Sequence, residues 1–273
     1  MAKKAFCVGI NDYPIEGADL KGCVNDAEAW ASLLREHFDF PSADIRVMTD
    51  AEATKANVLG GLKDLLAGAG AGDVLVFTNS SHGSQIPDPG EDEPDRYDEV
   101  MCPYDIRDNA LTDDELRELF SGLPKGVRLT VISDSCHSGT VTRALLIDNI
   151  PGLSMPDDRR VRFLNPALFR GGPILTDPMG AQPRGRVAFP QSSMDHILLA
   201  GCKDTEYSYD AVIGGGYHGA MTYHAIKAIE DAKFRITYAE LRDELGPLLE
   251  KAGYQQHPQL EGESHAKHRQ LFT

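Results

Sequence analysis

The chain has 273 residues, a formal net charge of −15 and 41% hydrophobic residues. That is enough apolar material for a sizeable core, and it excludes a disordered or collagen-like chain. Charge this negative argues against broad binding to nucleic acid or anionic membranes. The five cysteines (Cys7, Cys23, Cys102, Cys136 and Cys202) are an odd number and contain no CxxC pair, which excludes a disulfide scaffold and a cysteine-based zinc site. No signal peptide is expected at the start of the chain, and no apolar run reaches 18 residues. The expectation is a soluble cytoplasmic protein, monomeric, with no nucleic-acid or membrane partner.

Residues 4–10 read as a buried strand. Residues 22–37 carry helical spacing through Ala27, Trp30, Leu33 and Leu34, continuing to Phe38. A second strand is expected at 45–49, a helix over 55–67 and a third strand at 73–79, apolar enough for a sheet covered on both faces. Residues 83–110 read mostly as loop, with seven acidic residues between Asp88 and Glu99. Thr112 and Glu115 form a capping-box pattern at the start of a helix. Residues 128–133 are the fourth strand. This alternation predicts an α/β fold with a mainly parallel sheet. A proline-, glycine- and arginine-bearing excursion covers roughly 148–193. Regular structure resumes with 195–201, helices near 218–231 and 237–252, and a short edge strand in HPQLEG. The sequence contains no repeat and no sign of a second domain.

Two motifs follow apolar strands directly: SSHGS at 80–84 and DSCHSG at 134–139. Open α/β sheets gather active sites beyond the carboxyl ends of strands, and neighbouring strands lie about 5 Å apart. Cys136 can therefore act as a thiolate nucleophile, with His82 moving its proton and then protonating a leaving amine. The backbone N–H groups of Gly83 and Cys136 can hold an oxyanion. A strand-end cysteine taken alone is more often structural, so this pairing leaves both readings open. His137, adjacent to the nucleophile, is read as structural. Cys7 and Cys202 are read as core, and Cys23, near a helix start, as packing.

These pieces make the chain resemble the metacaspase branch of the caspase-like cysteine peptidases and its bacterial relatives. The resemblance rests on FCVGINDY, LKGCVNDA, SSHGSQIPDPGEDEPDRYDEVMCPYD, LTDDELREL, VISDSCHSG, LLAGCKDTEYSYDA, GAMTYHAI and HPQLEG. It implies a caspase-like three-layer sandwich: a central, mainly parallel six-stranded sheet flanked by helices, built as one peptidase domain over 1–273 with a long loop or small insertion at 144–193. It implies a His82–Cys136 dyad, cleavage of proteins or peptides after Arg or Lys, and an acidic pocket for the residue before the cut bond (P1) formed by Asp26 and Asp134. Carboxylates suit a desolvated guanidinium. Asp26 can alternatively brace its own helix N-terminus.

The resemblance also implies a calcium site at Asp98, Asp113 and Asp114. Calcium would be an activator; no cofactor is required for the chemistry itself. Two positions depart from the family pattern. Arg143 stands where an aspartate is usual, which lowers the expected calcium affinity, and Ser81 stands where glycine usually precedes the histidine. Arg159, Arg160, Arg162, Arg170, Arg184 and Arg186 lie in the excursion, where an arginine-directed enzyme can cut itself or be covered by the segment. The rival readings are a small-substrate amidase and a catalytically weak calcium-responsive or protein-binding module.

Overall fold

The structure, a computed structural model, describes residues 1–87, 97–136, 158–170, 196–203 and 206–273. Strands β1 (Lys3–Gly9), β2 (Ile45–Thr49), β3 (Val74–Ser80), β7 (Arg128–Asp134), β9 (His196–Ala200) and β12 (Gln259–Glu261) form a six-stranded sheet ordered β12-β9-β7-β3-β1-β2. All neighbours are parallel except β12, which runs antiparallel on the edge.

Alternation along the strands sends successive side chains to opposite faces. Ala5, Cys7, Val74 and Val76 pack with α1 (Cys23–His37), α4 (Ala220–Asp231) and α5 (Tyr238–Lys251). Phe6, Val8, Leu75 and Phe77 pack on the other face with α2 (Lys55–Leu66) and α3 (Asp113–Ser121). The result is the caspase-like three-layer sandwich, and both helix layers bury apolar faces that the sequence spacing marks out. The capping box of Thr112 and Glu115 is formed at the start of α3. Cys7 is core, its thiol pushed up to about 12 by burial.

The stretch 83–110 differs from the expected loop. It contains β4 (Gly83–Pro87) and β5 (Tyr97–Met101), paired antiparallel, and the two-residue β6 (Leu111–Thr112) on the far side of β5. These strands are short and carry polar residues, so no apolar run announces them. A third small sheet joins β8 (Arg160–Val161), β10 (Tyr209–Ile213) and β11 (Gly216–Gly219). Within the excursion the described residues are 158–170. His137, Arg143, Arg184 and Arg186 lie outside the described residues.

Candidate active site

Ser80 and Asp134 face each other across the parallel β3–β7 ladder. His82 and Cys136 each follow two residues later, so the ladder register delivers the two motifs to the same sheet end. The His82 backbone N–H donates to the Tyr13 hydroxyl (3.1 Å), which donates to the Cys102 carbonyl (3.0 Å). The His82 ring stacks at a tilt against Tyr13, with centroids 5.1 Å apart. Its Nε2 lies 2.7 Å from the Ala18 carbonyl oxygen. A carbonyl only accepts, so this contact assigns the proton to Nε2 and leaves Nδ1 as the lone pair. Among the described residues Nδ1 is buried with no well-formed hydrogen bond, and the Arg162 backbone lies close enough to act on the ring; a lone pair so placed can take a proton from a group beside it. Burial pushes the His82 imidazolium down to about 4, and the charges of Arg162 and Arg160 act in the same direction.

Ser81, the departure before His82, is buried and donates its hydroxyl to the His82 carbonyl at 2.9 Å. Its φ is not positive, so a serine is accommodated there without the left-handed backbone that favours glycine.

The Cys136 thiol is buried and lies 3.0 Å from the Glu206 carbonyl. Cys202, read from the sequence as core, donates to the same carbonyl at 3.4 Å and is a neighbour of Cys136.

One residue joins the two motifs. The Arg162 carbonyl oxygen accepts from the Gly83 N–H at 2.9 Å and from the Cys136 N–H at 3.2 Å. These are the two donors expected of an oxyanion hole. The Arg162 N–H in turn donates to the Ser208 carbonyl at 2.9 Å. Upstream, β8 pairs antiparallel with β10, Val161 opposite Tyr209 and Arg160 opposite Asp210.

The Arg162 side chain is fully buried among carboxylates. Nη2 reaches Asp26 at 2.7 Å and Asp210 at 3.0 Å. Nη1 reaches the Ser80 hydroxyl at 2.6 Å, the Asp134 carbonyl at 3.0 Å and the Asp134 carboxylate at 3.4 Å. Asp26 is further held by the Ser80 hydroxyl (2.6 Å) and the Gly219 N–H (3.0 Å). Asp134 accepts from the Ser208 hydroxyl and from both the N–H and the hydroxyl of Thr222, all at 2.8–2.9 Å. Burial works to raise the Asp26 carboxyl, but the Arg162 charge and these hydrogen bonds carry it below its ordinary value. Asp134 goes the other way, because burial and the Asp26 charge together outweigh Arg162. A buried ion cluster of this kind persists only where its charges are hydrogen-bonded; here every carboxylate oxygen of Asp26, Asp134 and Asp210 accepts a bond, while Arg162 Nε has no partner among the described residues.

The structure therefore brings Asp26 and Asp134 together around a guanidinium. Asp26 serves this cluster rather than capping its own helix, whose N-cap, Gly22, makes no side-chain cap bond. Asp210, Ser208 and the Ala18 carbonyl were not singled out from the sequence, and Ser80 only as part of the SSHGS motif, with no role of its own. Asp210 carried one signal, a lone carboxylate in the apolar-aromatic YSYDA run. The others act through backbone atoms or through tertiary contact, which leave no local pattern. Of the other described arginines in the excursion, Arg159 stacks over Tyr254 and bonds the Gly253 carbonyl, Arg160 bonds the Asp19 carbonyl, and Arg170 pairs with Asp108.

The expected calcium carboxylates lie apart from this cluster, around α3. Asp98 is on β5, and Asp113 and Asp114 open α3. Arg117 pairs with both Asp113 (2.9 Å) and Asp114. Burial raises the Asp113 carboxyl to about 6. Among the described residues no group of three or more His, Cys, Asp or Glu side chains draws together as a metal set. Calcium takes six to eight oxygens, and among the described residues Arg117 pairs with two of the three expected carboxylates. No described helix is long and apolar enough to cross a membrane.

Comparison with known proteins identifies the family. The family model "Metacaspase, peptidase C14 domain" matches residues 3–144. Metacaspase-1 of Coccidioides immitis is 34% identical over 94% of this chain and 61% of its own length. Metacaspase-1A of Aspergillus fumigatus is 34% identical over 94% of this chain and 68% of its own. The chain thus spans about three fifths to two thirds of the curated relatives it matches. Protein GSU0716 from Geobacter sulfurreducens, a crystal structure, superposes with a TM-score of 0.71 at 26% identity, covering 100% of this chain and 99% of that one. With a match over more than half the chain, and with relatives this similar, the chain belongs to the metacaspase, peptidase C14, family.

Proposed function

We propose that the chain is a cysteine endopeptidase that cleaves on the carboxyl side of Arg or Lys, and that its own Arg162–Phe163 bond is a substrate. The observation that carries this reading is the seating of Arg162. Its guanidinium sits among Asp26, Asp134 and Asp210 while its carbonyl oxygen accepts from the Gly83 and Cys136 N–H groups.

In that reading His82 Nδ1 takes the proton of the Cys136 thiol, and the sulfur attacks the P1 carbonyl carbon as a thiolate. The oxygen takes up negative charge where two N–H donors already point. Loss of one such donor typically costs about 10²–10³ in rate. His82, held by Ala18 and Tyr13, carries a proton on Nδ1 to the departing amine, leaving a thioester on Cys136. Water, deprotonated by the same nitrogen, then hydrolyses the thioester and frees the thiol. The fork of Arg162 bonds two carboxylates through Nη2 and two further oxygens through Nη1, contacts that a lysine ammonium reproduces only in part. Arg is therefore preferred to Lys. A chain with Arg162 in place is latent toward other substrates. Calcium activation would require Arg117 to release Asp113 and Asp114.

The test compares matched peptides with Arg, Lys or Asp at P1, with and without calcium, in the parent chain and in Asp210→Asn. The expected order is Arg, then Lys, with Asp not cut, and Asp210→Asn lowers kcat/KM for Arg by about tenfold or more, the loss of one charged hydrogen bond. Equal rates for Arg and Asp would overturn the pocket. Absence of any turnover, together with a Cys136 inert to an arginyl acyloxymethyl ketone, would favour a binding module instead.

A further inference from the structure

Beyond P1, the segment that follows Arg162 is also held in a fixed, buried course. The Leu164 N–H donates to the Gly83 carbonyl at 2.9 Å, and Phe163 forms a parallel bridge with Gly83. The Ser84 hydroxyl, itself fully buried, donates to the Leu164 carbonyl at 2.7 Å. Phe163 is 8% exposed and belongs to one apolar cluster with Cys136, Cys202 and Val161. Leu164 is 4% exposed and enters the core on the α2–α3 face of the sheet. The bound chain thus leaves the edge of β10 at Arg162, crosses between the two motifs and continues along the edge of β4.

We infer that the site reads both sides of the cut bond: it selects a large apolar residue immediately after the bond (P1′) and holds the next carbonyl with Ser84. The inference rests on the proposed peptidase reading. Three observations carry it beyond that reading. Phe163 is packed with Cys136, Val161 and Cys202, with Tyr207 and Tyr209 against them, an apolar setting in which a carboxylate or ammonium would lose hydration. The Gly83 backbone is used twice, its N–H on the P1 carbonyl and its carbonyl on the Leu164 N–H, so it registers the chain on both sides of the bond. Ser84 puts its hydroxyl on a carbonyl that exists only when the substrate extends two residues past the bond. Substrates are therefore internal segments of the form apolar–Arg–aromatic–aliphatic, matching Val161–Leu164. Ser84 is a positioning residue, and it touches none of the reacting atoms.

The test uses internally quenched peptides of the sequence Arg-Val-Arg-Xaa-Leu-Asn-Pro, with Xaa as Phe, Leu, Gly or Asp, beside a Val-Arg-aminomethylcoumarin amide that has no peptide after the bond. The expected result is kcat/KM at least tenfold higher for Phe than for Asp, with Leu between them. Ser84→Ala is expected to lower kcat/KM for the Phe peptide at least fivefold more than for the coumarin amide. A general folding defect would lower both equally. Equal rates across Xaa, with equal losses on both substrates in Ser84→Ala, would overturn the inference while leaving arginine-directed cleavage intact. Failure to cut the coumarin amide and every peptide would instead remove the peptidase reading.

Discussion

Arg162 and Cys136 are joined by a 3.2 Å hydrogen bond in which the backbone N–H of the cysteine donates to the carbonyl oxygen of the arginine. A carbonyl so placed is polarised toward the residue whose sulfur would attack it. The same arginine fills the only pocket in which the described structure buries a guanidinium completely. One residue thus engages both the carboxylate cluster and the two backbone donors, the arrangement the proposed reading requires of a substrate.

The anchor should be measurable without catalysis. In a Cys136→Ala background, replacing Arg162 by Ala removes the cation that balances Asp26, Asp134 and Asp210. Breaking a buried pair by removing one partner costs about 3–5 kcal/mol. Local release of the segment, with water entering around the carboxylates, recovers part of that cost. Amide hydrogen exchange at residues 160–164 should accelerate by about a hundredfold, the equivalent of about 2.7 kcal/mol. Unchanged protection there would mean that Phe163 and Leu164 alone hold the segment.

Gly219 is required by close approach. A Cβ at that position would overlap the Asp134 carboxylate and the Arg162 guanidinium, and the Gly219 N–H is also a donor to Asp26. Gly219→Ala should therefore close the pocket, abolishing cleavage of Arg peptides while the chain still folds as judged by circular dichroism. Retained activity on Arg peptides would show that the pocket is not used as described.

Acid should act through His82. Its imidazolium is held down to about 4 against 6.5 for an ordinary histidine. Between those pH values the unfolded chain binds a proton that the native chain does not. Native stability therefore falls as pH drops from about 6.5 to about 4, by about 3 kcal/mol from this group. A His82→Gln chain should show a smaller loss of Tm over that interval. Identical pH dependence in both chains would contradict the buried, neutral ring.

Much of the framework was legible beforehand. The apolar runs that became β1, β3 and β7 also marked where each strand stops, and the residues just past those stops are His82 and Cys136. Asp26 and Asp134 came from the family resemblance rather than from spacing. The hairpin of β4 and β5 was not legible, because its strands are short and partly acidic. Arg162 was one of six arginines in an irregular stretch, and nothing in VRFLNP distinguishes it from Arg160. Its role arises from carboxylates supplied by α1, β7 and β10, which only the fold assembles. The Ala18 carbonyl is beyond any reading of side chains, since every residue has one.

The most direct test is the fate of the Arg162–Phe163 bond. Wild-type and Cys136→Ala chains are purified, incubated with and without calcium, and followed by intact mass and N-terminal sequencing. The account predicts that the wild-type chain divides after Arg162, giving a fragment that begins at Phe163, and that Cys136→Ala stays whole. A wild-type chain that remains intact at Arg162 under both conditions while cutting Arg peptides, or one that breaks at this bond without Cys136, would contradict it.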